Sequence, residues 1–336
     1  MAEKNLPMRE ALRLALREEM LRDDRVFVMG QEVGEWQGTH RVTRGLLEEF
    51  GKKRVRDTPI SEMAIAGSAV GAAMAGLRPV AEIMTINFAF LALDAIVNHA
   101  AKIHYMFDGQ FRVPVVFRAA SGWGNQATAT HSHTPEPIFA HFPGLYVGCP
   151  ATPSDAKGML KASIRSENPV LFTESIALYS KPGPVPDDED FVLPIGRADV
   201  KREGRHVTLV TYARGVEWSL EAAEALAKEG VECEVIDMRW LRPLDMATVF
   251  ESFKKTNRCV VVEESLPMYS FGSEIAARLQ DEMFDYMDAP VKRVTAMDVP
   301  LPYARDIELM ALPCLLYTSD AADDLLCVDL GGRRII

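Results

Sequence analysis

Apolar residues along the chain follow two rhythms that alternate. Residues 8–22 carry Ala11, Leu12, Ala15, Leu16 and Met20 at helical spacing, and Val26 to Met29 is a strand-like run that ends in the loop Gly30 to Gly34. The pattern then predicts a helix over 43–50, a short strand at Arg54 to Arg56, a strand over Arg78 to Thr85, a long helix from Ala89 to Met106 and a strand at Val113 to Phe117. Strands at Leu145 to Val147 and Val170 to Thr173 flank a helix over 153–166. Between Lys181 and Pro194 the rhythm stops: four prolines and the acidic run Asp187 to Asp190 read as a linker and not as a buried element. A second alternation follows, with strands at Val207 to Thr211, Glu234 to Asp237, Val260 to Glu263 and Lys292 to Thr295, and helices over 215–229, 245–255 and 271–284. Such alternation predicts an α/β protein of two domains with mainly parallel sheets covered on both faces. The expected boundaries are 1–180, a linker at 181–195, a second domain at 196–313 and a tail at 314–336.

One stretch breaks the polar/apolar logic. From Asp57 to Gly76 a Thr-Pro segment runs into a helix of small and apolar residues whose one charge is Glu62. Pro59 favours an extended Thr58, and Ser61 can cap the helix, which puts Glu62 in its first turn. Gly67, Gly71, Ala72, Ala75 and Gly76 leave at least one face without bulk, so backbone can approach backbone there. Each Gly in a helix costs up to about 1 kcal/mol relative to Ala, a loss that close packing must offset. The stretch therefore predicts a helix buried at a subunit or domain interface with Glu62 at its mouth. A solvated first-turn carboxylate favoured by the helix dipole fits the spacing equally well.

Composition narrows the field. The 336 residues, 48% hydrophobic and 25% charged, suit two globular domains with proper cores. A net charge of -11 argues against nucleic acid or an anionic membrane surface as the main partner. Cys149, Cys233, Cys259, Cys314 and Cys327 are scattered and form no C-x-x-C pair, which fits reduced thiols in the cytoplasm. The N-terminus carries no signal or transit pattern, and no uncharged run reaches the roughly 20 residues a bilayer requires.

The common chemical fingerprints are missing: there is no G-x-G-x-x-G after a strand, no P-loop, no H-E-x-x-H and no G-x-S-x-G. His131, His133 and His141 with Glu136 have a spacing that suits no common metal site. His131 and His133 follow the Gly-rich loop Ser121 to Gln126, of the kind that borders active sites, although a polar turn with two solvated imidazoles fits as well. Met84, Phe88 and Phe90 read as core.

The run Thr58-Pro-Ile-Ser-Glu62-Met with Gly71-Ala-Ala-Met-Ala-Gly-Leu-Arg-Pro79 resembles the beta subunits of the thiamine-diphosphate-dependent decarboxylase component of 2-oxoacid dehydrogenase complexes, and is most similar to those of pyruvate dehydrogenase type. Glu32-Val-Gly34, Met84-Thr-Ile-Asn-Phe88, Ala100-Ala-Lys-Ile, His131-Ser, Phe142-Pro-Gly-Leu145, Asp155-Ala-Lys-Gly158 and Val235-Ile-Asp-Met-Arg239 carry the likeness over about residues 5–313. It implies a transketolase-like pyrimidine-binding domain followed by a transketolase C-terminal-like domain. The implied activity is oxidative decarboxylation of pyruvate, with the acetyl group passed to lipoyl of the acyltransferase component. No G-D-G motif for the diphosphate and Mg²⁺ occurs, so the resemblance implies that an alpha subunit supplies them in an α2β2 heterotetramer.

Residue by residue, the resemblance makes Glu62 the carboxyl that exchanges a proton with the aminopyrimidine of thiamine diphosphate, with Ile60, Met84 and Phe88 around that ring. Such a carboxyl works best when its neutral form is favoured, which Ile60, Met63, Ala64 and Ile65 would do as an apolar surrounding. His131 matches the histidine near the reacting carbon. A structural potassium ion is implied on backbone carbonyls at Val115, Ser163, Ile164, Ser166 and Asn168. Two departures stand out. The segment from Trp123 to Pro137 differs from the pyruvate-type loop and is similar to branched-chain 2-oxoacid enzymes in Ser132-x-x-Pro135-Glu136, and the run from Cys314 to Ile336 leaves the family pattern and resembles translated sequencing adapter. The alternatives are a branched-chain 2-oxoacid or acetoin dehydrogenase beta subunit, or a non-catalytic assembly subunit.

Overall fold

The computed structural model describes residues 3–123 and 126–313. The expectation of an aberrant tail after Pro313 falls on residues outside this range. In chain order the elements are β1 (Glu3–Pro7), α1 (Met8–Arg22), β2 (Val26–Gly30), α2 (Leu46–Phe50), β3 (Val55–Asp57), α3 (Glu62–Met74), β4 (Arg78–Thr85), α4 (Ile103–Met106), β5 (Val116–Ser121), α5 (Glu136–Ala140), β6 (Tyr146–Gly148), α6 (Pro153–Arg165), β7 (Val170–Ser175), β8 (Pro182–Pro186), β9 (Asp199–Arg202), β10 (Val207–Thr211), α7 (Gly215–Ala227), β11 (Cys233–Asp237), β12 (Trp240–Arg242), α8 (Met246–Thr256), β13 (Cys259–Val262), α9 (Phe271–Glu282), β14 (Lys292–Val294) and α10 (Arg305–Ala311). They form two compact units. Among the described residues, the first holds 3–122, Pro135–Arg197 and Trp240–Pro243, and the second holds 123, 126–134, Ala198–Arg239 and 244–313.

The first unit is built on a seven-stranded sheet in the order β12-β6-β7-β5-β4-β2-β3, parallel except for β12. Its inner strands are buried at nearly every position, as parallel strands covered on both faces must be. Leu12, Leu16, Val28, Val80, Met159, Leu160 and Phe172 form a core between this sheet and the helices α1 and α6, and each is fully buried. The second unit repeats the principle with five strands, β14-β13-β10-β11-β9, where only β9 runs antiparallel.

Two features differ from the sequence expectation. The segment Ala89 to Met106 is not one α-helix: a 3₁₀ stretch (Ile86–Ala92), a π turn (Ala95–Ala100) and the short α4 follow one another. Apolar residues on several sides of this segment signal a helix but do not select its winding. The proline-rich linker is also bound into the first unit. β8 pairs antiparallel with β1, and Val185 is buried. Lys157 donates to the carbonyls of Pro186 (2.9 Å) and Asp188 (3.0 Å), and Lys161 to that of Glu189, while both ammonium groups pair with Glu18. Both lysines are fully buried on α6. A buried ammonium needs such acceptors, and the acidic run's backbone supplies them.

Three strands of the first sheet are joined by charge. Arg118 on β5 donates to Glu82 on β4 (2.5 Å) and, through Nε and Nη2, to both oxygens of Glu174 on β7, which also accepts from the Tyr179 hydroxyl at 2.7 Å. Arg118 is 2% exposed and Glu174 not at all. Burial pushes the Glu82 carboxyl up while Arg118 pulls it down. In the second unit, Glu263 just past β13 accepts from the Ser270 hydroxyl (2.6 Å) and the Gly272 N–H (2.9 Å) at the start of α9, and its other oxygen is buried with no hydrogen-bond partner among the described residues. Burial pushes this carboxyl up to about 7, against the Ser270 and Gly272 donors and the charge of Arg293, which favour its charged form.

Removing Arg118 leaves buried carboxylates without their counter-charge, so Arg118→Met should destabilise the chain by about 3–5 kcal/mol. A urea midpoint equal to that of the wild type would contradict this. Glu263 has a folded pKa above its ordinary value near 4.5. Its contribution to stability is therefore complete below about 4.5 and is lost as pH rises through about 7. Glu263→Gln should flatten the pH dependence of the urea midpoint over that window, and an unaltered pH curve would refute the assignment.

Candidate active site

Parallel strands end at one edge of the first sheet, and ligands of open α/β sheets bind beyond such carboxyl ends. Gly30 stands opposite both Asp57 and Glu82 in register, so β2, β3 and β4 deliver their following loops side by side. The loop after β2 is held from β3: the Asp57 carboxylate accepts from the N–H groups of Gly34 (2.6 Å) and Glu35 (2.9 Å), and the Thr58 N–H donates to Gly30 O at 3.0 Å. A side chain at Gly34 would lie 2.8 Å from the Asp57 carboxylate, so only Gly lets this loop approach so closely.

Five residues after Asp57 the chain enters α3, and Glu62 is its first residue. Ser61 stands at the N-cap position with an extended backbone, yet its side chain makes no capping hydrogen bond, contrary to the sequence expectation. Glu62 is 5% exposed, and its carboxylate makes no hydrogen bond or ion pair among the described residues. The same face of α3 buries Ile65, Ala66, Ala69, Val70 and Ala73 at helical spacing. Its opposite face is open: Gly67 and Gly71 have no neighbour within 4 Å of a would-be side chain, and Met63 and Ala64 are exposed. The helix is thus half-buried in this chain and not enclosed between elements. The expected apolar surrounding of Glu62 is likewise only partly present, since Ile65 is buried while Ile60 and Met63 are 83% and 64% exposed.

Met84 and Phe88 flank the carboxyl end of β4 and are half-buried, so both retain surface beyond the core. Between them Asn87 donates to the Thr85 hydroxyl at 2.6 Å, and Thr85 to Ala120 O at 3.4 Å, fixing the turn that carries Phe88. Glu62, Ile60, Met84 and Phe88 all belong to the first unit.

His131 and His133 belong to the second unit. His131 ends a single 3₁₀ turn (Ala129–His131), is exposed, and has its Nδ1 2.9 Å from the Thr130 hydroxyl. Partial burial lowers the His133 imidazole. His141 and Glu136 belong to the first unit, and Glu136 accepts from the Ser121 hydroxyl. Among the described residues no group of His, Cys, Asp and Glu side chains could hold a metal ion.

Of the five carbonyls named for potassium, those of Ser163, Ile164, Ser166 and Asn168 lie at or just past the C-terminal end of α6, where the helix dipole favours positive charge, and that of Val115 lies just before β5. Ile164 O and Ser166 O accept from the Arg78 guanidinium at 2.9 and 3.0 Å, Ser163 O from the Ser166 N–H at 3.2 Å, Val115 O from the Val170 N–H at 2.9 Å and Asn168 O from the Ser166 hydroxyl at 3.1 Å. Each carbonyl retains a second lone pair.

The sequence reading passed over Asp57 and the Glu82, Arg118 and Glu174 network. Their signal is present: each of the three network residues is a charge inside an otherwise apolar strand, where only a partnered charge survives burial.

Residues 4–181 match the family model "Transketolase, pyrimidine binding domain" and residues 196–314 match "Transketolase, C-terminal domain". The chain is 50% identical over 316 residues to the pyruvate dehydrogenase E1 component subunit beta of Rhizobium meliloti (strain 1021), which covers 94% of this chain and 69% of that protein. The mitochondrial subunit of Caenorhabditis elegans is likewise 50% identical, over 93% of this chain and 90% of its own length. That of Drosophila melanogaster is 49% identical over 99% and 91%. Among solved structures, a split-gene transketolase described as an inactive beta4 tetramer superposes with a TM-score of 0.72 at 26% identity, covering 88% of this chain and 89% of its own. With its own two-unit α/β architecture, the chain belongs to the family of pyruvate dehydrogenase E1 component beta subunits.

Proposed function

We propose that this chain is the beta half of a pyruvate-decarboxylating E1 enzyme, that it holds the aminopyrimidine end of thiamine diphosphate against Glu62, and that it acts only together with an alpha subunit. The observation that carries the reading is a carboxylate on a residue only 5% exposed, without a hydrogen-bond or ion-pair partner among the described residues, set in the first turn of α3 beyond the carboxyl ends of parallel strands. A carboxyl so placed is open to a ligand that can share a proton with it. When bound, thiamine diphosphate supplies a carbon acid that adds to a ketone and accepts the electrons released with CO2. Glu62 holds or moves one proton at the pyrimidine nitrogen, and Met84, Phe88 and Ile60 present apolar surface to the ring. His131 acts on the substrate carboxylate and the acyl group in transit to lipoyl of the acyltransferase component.

The alpha subunit supplies the diphosphate and Mg²⁺ ligands, in an α2β2 assembly. Two features support a protein partner on this unit: the bulk-free face of α3, and the exposed Ile60, Met63, Leu91, Tyr105 and Met106. Cys149, Cys233 and Cys259 are buried thiols not joined in a disulfide, which suits a reducing compartment such as the cytoplasm. A potassium ion at the end of α6 would share its carbonyls with Arg78.

Mixed with its alpha partner, thiamine diphosphate and Mg²⁺, the chain should decarboxylate pyruvate in preference to 3-methyl-2-oxobutanoate, and each chain alone should be inactive. Glu62→Gln should lower kcat by about 10²- to 10⁴-fold, the range of a lost proton-transfer group. Full activity of that variant would revive the assembly-subunit reading, and branched-chain preference would move the substrate. Potassium should raise the thermal midpoint relative to choline at equal ionic strength, because a ligand bound only by the folded state stabilises it. Identical midpoints would remove the ion from the proposal.

A further inference from the structure

The residues that follow Gly122 are fastened at three points by the second unit. Trp123 is 2% exposed and packs with Ala296, Leu301, Ala311 and Leu312 in a small core of its own. Both of its backbone polar groups are taken up by side chains: the N–H donates to Glu264 at 3.0 Å, and the carbonyl accepts from Arg214 at 3.3 Å. Arg214 and Glu264 lie 3.6 Å apart, so the two anchors hold each other. Further on, the Gln126 N–H is shared between both oxygens of Glu308, 3.2 Å from each. At the far end Ser265 donates to the carbonyl of Thr134 at 3.4 Å. Glu264 and Glu308 are 6% and 1% exposed. Burial pushes the Glu264 carboxyl up, and Arg214 with the Trp123 N–H pulls it down.

A buried carboxylate aimed at one main-chain N–H fixes that amide in place, because leaving either group unpaired costs its full desolvation. Gln126 and Thr128 both have positive φ, 53° and 66°, which non-glycine residues hold only where their surroundings impose it. His131 lies between the Glu308 and Ser265 anchors, on a turn closed by its own N–H to Thr128 O at 3.2 Å. Within the turn the Thr130 hydroxyl meets the imidazole, and the anchors on either side hold the turn itself.

We infer that Arg214, Glu264, Ser265 and Glu308 are positioning residues for His131, so that the second unit, which holds none of the thiamine residues proposed above, sets the rate through this loop. The inference rests on the role proposed for His131. It extends that role to residues 126–134 and gives Trp123 the function of an anchor.

The test uses the reconstituted α2β2 enzyme with pyruvate. Glu308→Ala should make the Gln126 amide exchange with deuterium at least about tenfold faster and lower kcat by about ten- to a hundredfold, the cost of a misplaced catalytic group. Glu308→Gln retains one acceptor oxygen and should restore kcat to within about twofold of the wild type. Ser265→Ala removes a single hydroxyl with little risk to folding, and should lower kcat by a smaller factor at an unchanged thermal midpoint. Unchanged Gln126 exchange in Glu308→Ala overturns the inference. So does a loss of kcat that Gln does not restore and that follows the thermal midpoint. His131→Ala is measured alongside: if it is fully active, the role proposed for His131 fails, while the exchange data still decide whether the anchors hold the loop.

Discussion

A guanidinium surrounded by two carboxylates in a sheet covered on both faces is the constraint on which the first unit depends. Arg118 cannot be rehydrated without opening β4, β5 and β7, because its partners Glu82 and Glu174 stand on the strands to either side. Taking such charges out of water is costly, and mutual attraction repays it only when every donor and lone pair is used. The Tyr179 hydroxyl completes the set on Glu174. Strand register at the carboxyl edge is thereby fixed, since a slip of one residue would turn the charges to the other face. From that register follow the positions of the loops after β2, β3 and β4, and with them Glu62, Met84 and Phe88.

The same economy governs the helices. α3 buries a narrow stripe with Glu62 at its head and leaves the opposite face without bulk. α6 is buried all round, so its two lysines must find acceptors inside the protein, and they find them on Glu18 and on the carbonyls of the acidic connector. A segment rich in proline and aspartate therefore becomes part of the packing: its carbonyls accept from the lysines and its side chains remain polar. The connector also continues the edge pairing of β8 with β1, where proline is tolerated because an edge strand need not donate on both sides.

Division of labour between the two units follows from which groups each one holds. The first unit offers the Glu62 carboxylate and the half-buried Met84 and Phe88 at the carboxyl edge of its sheet. The second carries His131 on a loop whose ends are tied to Arg214, Glu264, Ser265 and Glu308. A side chain on an irregular loop needs such anchoring more than one on a strand does, because a loop has no ladder of backbone hydrogen bonds to hold it.

Much was legible from the residues themselves. The alternation of apolar runs and helical spacing determined the α/β class and most strands of both sheets, because burial on both faces leaves a near-continuous apolar signature. The Thr-Pro-Ile-Ser segment determined the entry into α3, and the motif order determined the family. Tertiary structure alone decided the rest. It resolved the segment from Ala89 to Met106 into three windings and left Ile60 and Met63 exposed. It also brought Asp57 to Gly34, Arg118 to Glu82 and Glu174, and Glu308 to Gln126, pairs separated by 23 to 182 residues. Spacing along the chain reports which face of one element is apolar; it holds no record of which distant charge will share a desolvated space, because that choice is made only when the strands have met.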